Sequence, residues 1–217
     1  MRAMILAAGR GERLRPLTDR IPKPLLPIGG EPLIVHQLRW LARAGIHDVV
    51  INLHHLGDAI EAALDDGSAY GARIAYSRET TRLETGGGIV QALPFLGTDP
   101  FVVLNGDIWT DFPFETLHLR PGDLAHLVLV PTPAHRVEGD FGFDGDRVTR
   151  SARTHVYCGI SLLDPALFDD APAGAFSLRD LLFAAAIAGR VGGEIWSGRW
   201  TDIGTPDQLD AVRRIAS

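Results

Sequence analysis

Two carboxylates stand where apolar runs break into glycine turns: Asp107 closes Leu104-Asn105-Gly106-Asp107, and Asp202 lies in Trp200-Thr201-Asp202-Ile203-Gly204-Thr205. A carboxylate delivered by a strand end is a usual form of metal ligand in phosphoryl transfer. A pair of them suits Mg2+, which takes one or two protein carboxylates and leaves other positions to phosphate and water. Each has a plainer reading as well, Asp107 as a turn residue and Asp202 as a helix cap. A loop offers the complementary chemistry: Leu6-Ala7-Ala8-Gly9-Arg10-Gly11-Glu12-Arg13-Leu14-Arg15-Pro16. Gly9 and Gly11 carry no side chain, so backbone N–H groups can face phosphate oxygens, while Arg10, Arg13 and Arg15 add charge and forked donors. A polyphosphate is the natural guest. The dinucleotide fingerprint fails because Leu14 stands where it needs a third Gly or Ala, and the Walker A pattern fails for want of Gly-Lys-Ser/Thr.

Of 21 basic side chains, a single one, Lys23, is a lysine, and it lies between Pro22 and Pro24. An ammonium is a compact charge on a flexible stem and reaches places among phosphates where a planar guanidinium does not fit. Chance placement in an arginine-rich composition is the alternative. Leu83-Glu84-Thr85-Gly86-Gly87-Gly88 puts three glycines at the start of a helix, suited either to lie against a base or sugar ring or to act as a hinge. His54-His55 has no partner at metal-ligand spacing and belongs to a strand-to-helix turn. Cys158 continues a strand-like run with Tyr157 and Gly159 and reads as a small core residue.

Bringing such groups together requires a scaffold that ends several strands side by side. Strand-like and helix-like segments alternate from the N-terminus, which predicts a three-layer α/β/α sandwich with a Rossmann-like, mostly parallel mixed sheet. Ala3–Leu6, Val49–Leu53, Arg73–Tyr76 and Phe101–Leu104 are the predicted strands of the first half. Leu33, Leu38 and Leu41, closed by Gly45, predict a helix with Pro32 in its first turn, followed by helices over Leu56–Leu64 and Gly88–Leu93. Further on, Ala125–Val130 and Tyr157–Leu162 are predicted strands, and Phe141–Val148 a hairpin around Asp144-Gly145. Ser177–Ala188 is a helix capped by Ser177, and Pro206–Ile215 a helix opened by Thr205. This second half is expected to carry the second ligand. No repeat, low-complexity tract or linker interrupts residues 1–217, so one domain is expected.

The 217 residues are 46% hydrophobic and 22% charged, with a net charge of -6. That composition suits a globule with a sizeable core. The acidic balance argues against nucleic acid or anionic lipid as a partner while permitting a local cationic phosphate site. The apolar run Met4–Ala8 is too short for a signal peptide, no run approaches the roughly 18 residues of a membrane span, and the cysteine is alone, which predicts a cytosolic protein.

Taken together and in this order, Leu6-Ala7-Ala8-Gly9 with Gly11 and Arg13, Pro22-Lys23-Pro24-Leu25, the Asp107 motif and the Asp202 motif resemble the sugar-1-phosphate nucleotidyltransferases over nearly the whole chain. Within that family the nearer likeness, through Leu83 to Gly88 and Gly139-Asp140-Phe141, is to the short bacterial uridylyltransferases of cell-wall recycling. The resemblance implies a nucleoside triphosphate, a sugar 1-phosphate and Mg2+, with UTP and N-acetylmuramate 1-phosphate as the pair. Guanylyl or thymidylyl transfer to a hexose or heptose 1-phosphate, and a non-catalytic nucleotide-sugar sensor, are the alternatives. Carried onto this chain, Ala8, Gly9, Gly11, Glu12 and Arg13 belong to the triphosphate and Lys23 to the α-phosphate. Asn105 places the nucleoside, Arg78 and Glu84 occupy the base region, and Asp107 with Asp202 holds the metal. Gly139, Asp140 and Arg153 face the sugar. Larger relatives carry a Glu-Lys-Pro element where this chain reads Arg150-Ser151-Ala152-Arg153-Thr154-His155, leaving Arg150 or Arg153 to substitute for the lysine. The implied reaction is in-line displacement of pyrophosphate by the sugar phosphate, with Arg13, Lys23, Asp107 and Asp202 as the catalytic set. The span after Asp202 is too short for a second domain, and a monofunctional monomer is expected.

Overall fold

A computed structural model describes residues 1–134 and 136–216. The first half runs β1 (Arg2–Leu6), a short pair β2 (Pro27–Ile28) and β3 (Glu31–Pro32), α1 (Leu33–Arg43), β4 (Asp48–Leu53), α2 (Gly57–Leu64), β5 (Arg73–Arg78), α3 (Glu84–Leu96) and β6 (Phe101–Asn105). The second half runs β7 (Ile108–Thr110), β8 (Ala125–Pro131), β9 (Gly142–Asp144), β10 (Arg147–Thr149), β11 (His155–Leu163), α4 (Leu178–Ile187), β12 (Val191–Ile195), β13 (Trp200–Asp202) and α5 (Pro206–Ile215).

Nine strands form one sheet in the order β5-β4-β1-β6-β11-β8-β12-β10-β9. All run the same way except β11 and β10, which makes the sheet mixed but mostly parallel in direction. The strands alternate between two apolar layers. Ala3, Ile5, Val102 and Leu104 face a cluster that includes Ile34, Leu38 and Leu41 of α1 and Ile60 and Leu64 of α2. Met4, Phe101 and Val103 face the other, with Ile89 and Ala92 of α3 and Leu178 and Leu182 of α4. Burial on both faces explains why these strands are near-continuous apolar runs, and gives the three layers expected from the sequence. A third cluster packs Leu14, Leu26 and Ile28 against Ile203, Leu209 and Val212, so α5 is bound to the segment that flanks Lys23.

Two predicted elements differ. The helix expected over Gly88–Leu93 is α3, thirteen residues from Glu84 to Leu96, and all three glycines are inside it and buried. Glycine's poor helix propensity, about 1 kcal/mol per residue, is overridden because larger residues would not fit. A Cβ would stand 2.2 Å from the Phe176 ring at Gly86, 2.2 Å from the Gly174 carbonyl at Gly87 and 2.7 Å from the Glu79 carboxylate at Gly88. The glycines therefore lie against the protein's own groups. Pro32 stands one residue outside α1, with an extended ψ of 141°, because it pairs with Pro27 in the small β2–β3 ladder.

Candidate active site

The chain passes from β1 through β4 to β5 on one side, then returns through α3 to β6 on the other side of β1. Such a reversal leaves a crevice beyond the carboxyl ends of the strands. Leu6, Asn52 and Asn105 stand level there on β1, β4 and β6, and all three line a cleft of about 410 Å³.

The glycine loop forms one wall. Ala8, Gly9 and Gly11 line the cleft together with Lys23. Nothing stands within 4 Å of a Cβ at Gly9, so its backbone is open to a ligand. Gly11 is different: its φ is +62°, and a Cβ would meet Thr18 Cγ2 at 2.9 Å and Lys23 Cβ at 3.3 Å. Thr18 Oγ1 in turn donates to the Gly11 carbonyl at 2.8 Å. Glycine is needed there to let the loop close over Lys23.

The opposite wall is a buried polar chain. Asn52 Oδ1 accepts from the Ala7 N–H at 2.8 Å, and Asn52 Nδ2 donates to Glu79 Oε1 at 2.7 Å. Glu79 Oε2 accepts from the Leu83 N–H at 3.0 Å. Asn52 and Glu79 are 2% and 6% exposed, and a satisfied buried network of this kind is rigid. It joins β1, β4 and the start of α3, whose Glu84 and Thr85 line the cleft with Arg82 and Ser177. Glu84 has a φ of +61°, an uncommon conformation for a side-chain-bearing residue and one concentrated at functional sites.

At the floor, Lys23 Nζ donates to Asp107 Oδ2 at 2.6 Å, with side-chain exposures of 13% and 29%. Gly106 lets the turn pass under β1, since a Cβ there would stand 2.5 Å from the Leu6 carbonyl. Beyond Asp107 lies a second cavity of about 160 Å³, lined by Asn105, Asp107, Arg136, Tyr157, Trp200 and Asp202 among others. Asn105 and Asp107 thus belong to both spaces. A bulge in β11 shapes this wall: the register shifts between Tyr157 and Ser161, Gly159 has φ +83°, and a Cβ on it would be 2.7 Å from Asn105 Nδ2. The Cys158 carbonyl turned out by the bulge accepts from the Trp200 indole N–H at 2.8 Å.

Asp202 is brought next to Asp107 by the β13–β7 ladder, in which it pairs with Ile108, and the Ile203 N–H donates to the Asp107 carbonyl at 2.8 Å. Asp202 Oδ1 accepts from Gln208 Nε2 at 2.8 Å, while Thr205 caps α5. Its carboxylate faces a cavity wall and is not the cap. Two carboxylates on one cavity form a hard-oxygen donor set that fits Mg2+. No cluster of three or more His, Cys, Asp or Glu suited to a metal occurs among the described residues.

Burial pushes the Tyr157 hydroxyl and the Cys158 thiol well above their ordinary pKa ranges. Both remain neutral at physiological pH. The cavity therefore offers neither a thiolate nucleophile nor a phenolate base.

Several sequence-predicted residues lie elsewhere. Arg78, expected near the base, pairs with Asp58 at 2.8 Å and with Glu61 on α2, because strand alternation sends it to the α2 side and the next residue, Glu79, to the cleft. Glu12 and Arg13 are exposed and line neither space. The Arg13 guanidinium instead lies against Gly204, where a Cβ would be 2.5 Å from Nη2, two residues from Asp202. Arg153 pairs with Glu138, and Arg150 donates to the Asp140 carbonyl while its guanidinium lies 3.4 Å from the Phe183 ring centroid. Gly139 brings its loop against β11, with a Cβ position 2.3 Å from the His155 carbonyl. Asp140 accepts from Arg136 at 3.0 Å and from the Tyr157 N–H at 3.3 Å. Gly139, Asp140, Arg150 and Arg153 line neither cavity. His54 and His55 occupy the turn after β4, bonded to the carbonyls of Glu79 and Thr18, both at 3.1 Å.

Sequence reasoning missed Asn52, Glu79, Arg82, Arg136 and Tyr157. Asn52 carries a signal, a polar residue inside Val49-Val50-Ile51-Asn52-Leu53. The others are brought to the cavities by tertiary packing alone.

Residues 2–143 match the profile of the nucleotidyl transferase family. The chain is similar to the N-acetylmuramate alpha-1-phosphate uridylyltransferase of Neisseria meningitidis serogroup B, 45% identical over 100% of this chain and 98% of that protein. It is 35% identical to the protein of the same name from Caulobacter vibrioides, over 99% of this chain and 96% of the relative. In fold it resembles a putative glucose-1-phosphate thymidylyltransferase from Bacillus anthracis, with a TM-score of 0.85, 24% identity and coverage of 100% and 95% of the two chains. A nucleotide-sized cleft joined at Asn105 and Asp107 to a second cavity agrees with that ancestry: the chain belongs to the nucleotidyl transferase family, as a sugar-1-phosphate nucleotidyltransferase.

Proposed function

We propose that the protein transfers a uridylyl group from UTP to N-acetylmuramate 1-phosphate, releasing pyrophosphate. The observation that carries the reading is that two cavities share Asn105 and Asp107 as a common wall, so two phosphorylated substrates can meet there. The choice of UTP and of this sugar is supported by the names of two relatives that match this chain from end to end. A monomer as the working unit and a cytosolic place of action, where nucleoside triphosphates are available, complete the reading.

In this reading the backbone of Ala8, Gly9 and Gly11 holds the triphosphate, and the Asn52–Glu79 network with Glu84 and Thr85 forms the far end of the nucleotide cleft. Asp107 and Asp202 hold a divalent ion, Mg2+, which when bound offsets negative charge on the phosphates. Lys23 donates to Asp107 Oδ2, and its flexible stem lets the ammonium reach the α-phosphate of the nucleotide. Arg13 supplies positive charge at the Asp202 turn. The attacking sugar phosphate is already an anion at neutral pH and needs no general base. Catalysis then consists of aligning two anions and cancelling their repulsion. Neutral Tyr157 and Cys158 agree with direct displacement without a covalent enzyme intermediate.

The test is pyrophosphate release on mixing the protein with Mg2+, each of the four ribonucleoside triphosphates or dTTP, and a panel of sugar 1-phosphates. The expected result is fastest release with UTP and N-acetylmuramate 1-phosphate. Faster turnover of another pair overturns the substrate assignment, and binding without release overturns the reaction.

A further inference from the structure

We propose that Arg136 is the anion anchor of the second cavity and binds the phosphate of the sugar 1-phosphate, in place of the lysine that the chain lacks between Arg150 and His155. The inference rests on the nucleotidyltransferase reading and adds to it a residue that no motif marks.

The two arginines expected to substitute for that lysine lie outside both cavities. Arg150 is stacked on Phe183 and bonded to the Asp140 carbonyl, and Arg153 is paired with Glu138. Lys23 faces the nucleotide cleft. Among the described residues that line the second cavity, Arg136 is the one cation, and Asp107 and Asp202 line the same space. A phosphate entering beside two carboxylates meets repulsion, and a guanidinium at the same wall offsets it alongside a divalent ion held by the carboxylates.

Arg136 is also held in place. Its backbone N–H donates to the Pro133 carbonyl at 2.9 Å, and its guanidinium meets Asp140 at 3.0 and 3.4 Å. Asp140 is fixed in turn to β11, through its own N–H on the His155 carbonyl at 2.7 Å and through the Tyr157 N–H on its carboxylate at 3.3 Å. Tyr157 and Cys158, the next residues of β11, line the cavity. The close approach at Gly139 keeps this loop segment against β11. Gly139 and Asp140 therefore act on the sugar side as positioning residues. A guanidinium has five N–H donors in a planar fork, and Asp140 engages two of them, leaving donors for phosphate oxygens.

The experiment compares wild type, Arg136→Ala and Arg136→Lys in steady-state pyrophosphate release, with thermal unfolding and UTP titration as controls. Arg136→Ala is expected to raise KM for the sugar 1-phosphate by about ten- to a hundredfold, the scale of a lost charge-assisted hydrogen bond, with UTP binding and the unfolding temperature unchanged. Arg136→Lys should recover part of the loss. N-acetylglucosamine 1-phosphate, which shares the phosphate but has no carboxylate, is tested as a competitor and should lose affinity in parallel. An unchanged KM overturns the proposal, as does an equal loss toward UTP. A loss confined to N-acetylmuramate 1-phosphate, with the competitor unaffected, assigns Arg136 to the carboxylate and overturns the phosphate role. Wild type that releases no pyrophosphate with any sugar 1-phosphate refutes the proposed function itself, an outcome distinct from an active wild type with an indifferent variant.

Discussion

Lys23 and Asp107 hold each other at 2.6 Å, with side-chain exposures of 13% and 29%, so each is the other's charge partner. Removing either partner leaves a charge with nothing to cancel it; in the proposed reaction, losing Lys23 also removes positive charge beside the phosphates, and losing Asp107 removes a ligand for the divalent ion. We expect Lys23→Ala and Asp107→Asn each to lower kcat by about a hundredfold or more, the usual scale for losing an electrostatic group of the site, with the folded state retained by circular dichroism. Near-normal turnover in either variant removes that residue from the mechanism. Cys158 gives a second expectation at this scale. Its side chain is 1% exposed, and burial raises its pKa, so a thiol reagent at about pH 8 should label it only after denaturant is added. Labelling of the native protein at the rate of a free thiol contradicts the buried placement.

The elements owe their close approach to glycines at defined contacts. α3 lies on Asn52 and Glu79 because Gly88 leaves room for them, a Cβ there being 2.7 Å from Glu79 Oε1 and 3.0 Å from Asn52 Nδ2. Gly88→Ala is expected to cost about 1–3 kcal/mol of stability, typical of overpacking, read from urea unfolding. Because the same contact shapes the cleft wall, KM for UTP should rise with it. The β11 bulge makes a parallel case: Gly159→Ala forces a left-handed φ of +83° on a residue with a Cβ and pushes that Cβ against Asn105. We expect a loss of about 1–2 kcal/mol from the conformation alone, together with a lower kcat, because Asn105 borders both cavities. An unaltered kcat in Gly159→Ala shows that Asn105 does not depend on the bulge.

At the scale of the molecule, stability draws on contacts between elements, and pH tests one that ties β5 to the end of α2. Tyr76 on β5 is pushed up to about 12 by burial and by the negative charges of Glu61 and Asp65, while its hydroxyl donates to the Asp65 carbonyl at 2.6 Å. A folded-state pKa above the ordinary 10.0 means that its contribution is fully present below about pH 10 and is lost as pH rises toward 12. Urea unfolding at about pH 7 and 10.5 should show a smaller alkaline loss in Tyr76→Phe than in wild type; equal losses refute the linkage. The sequence alone determined the sandwich, most of its strands and helices, and eight of the residues that line the two cavities, Ala8, Gly9, Gly11, Lys23, Glu84, Asn105, Asp107 and Asp202, because apolar periodicity, glycine turns and short motifs are local signals. It could not tell that Arg78 turns away while Glu79 turns in, since that depends on which face of β5 meets α2. Nor could it say that Lys23 reaches Asp107 across 84 positions, or that Arg136 and not Arg153 borders the second cavity. Those outcomes were decided by tertiary packing: the cluster of Leu14, Leu26 and Ile28 with Ile203, Leu209 and Val212 draws the lysine segment and the Asp202 turn onto one end of the sheet, and contacts between segments so far apart in the chain leave no pattern in its local order.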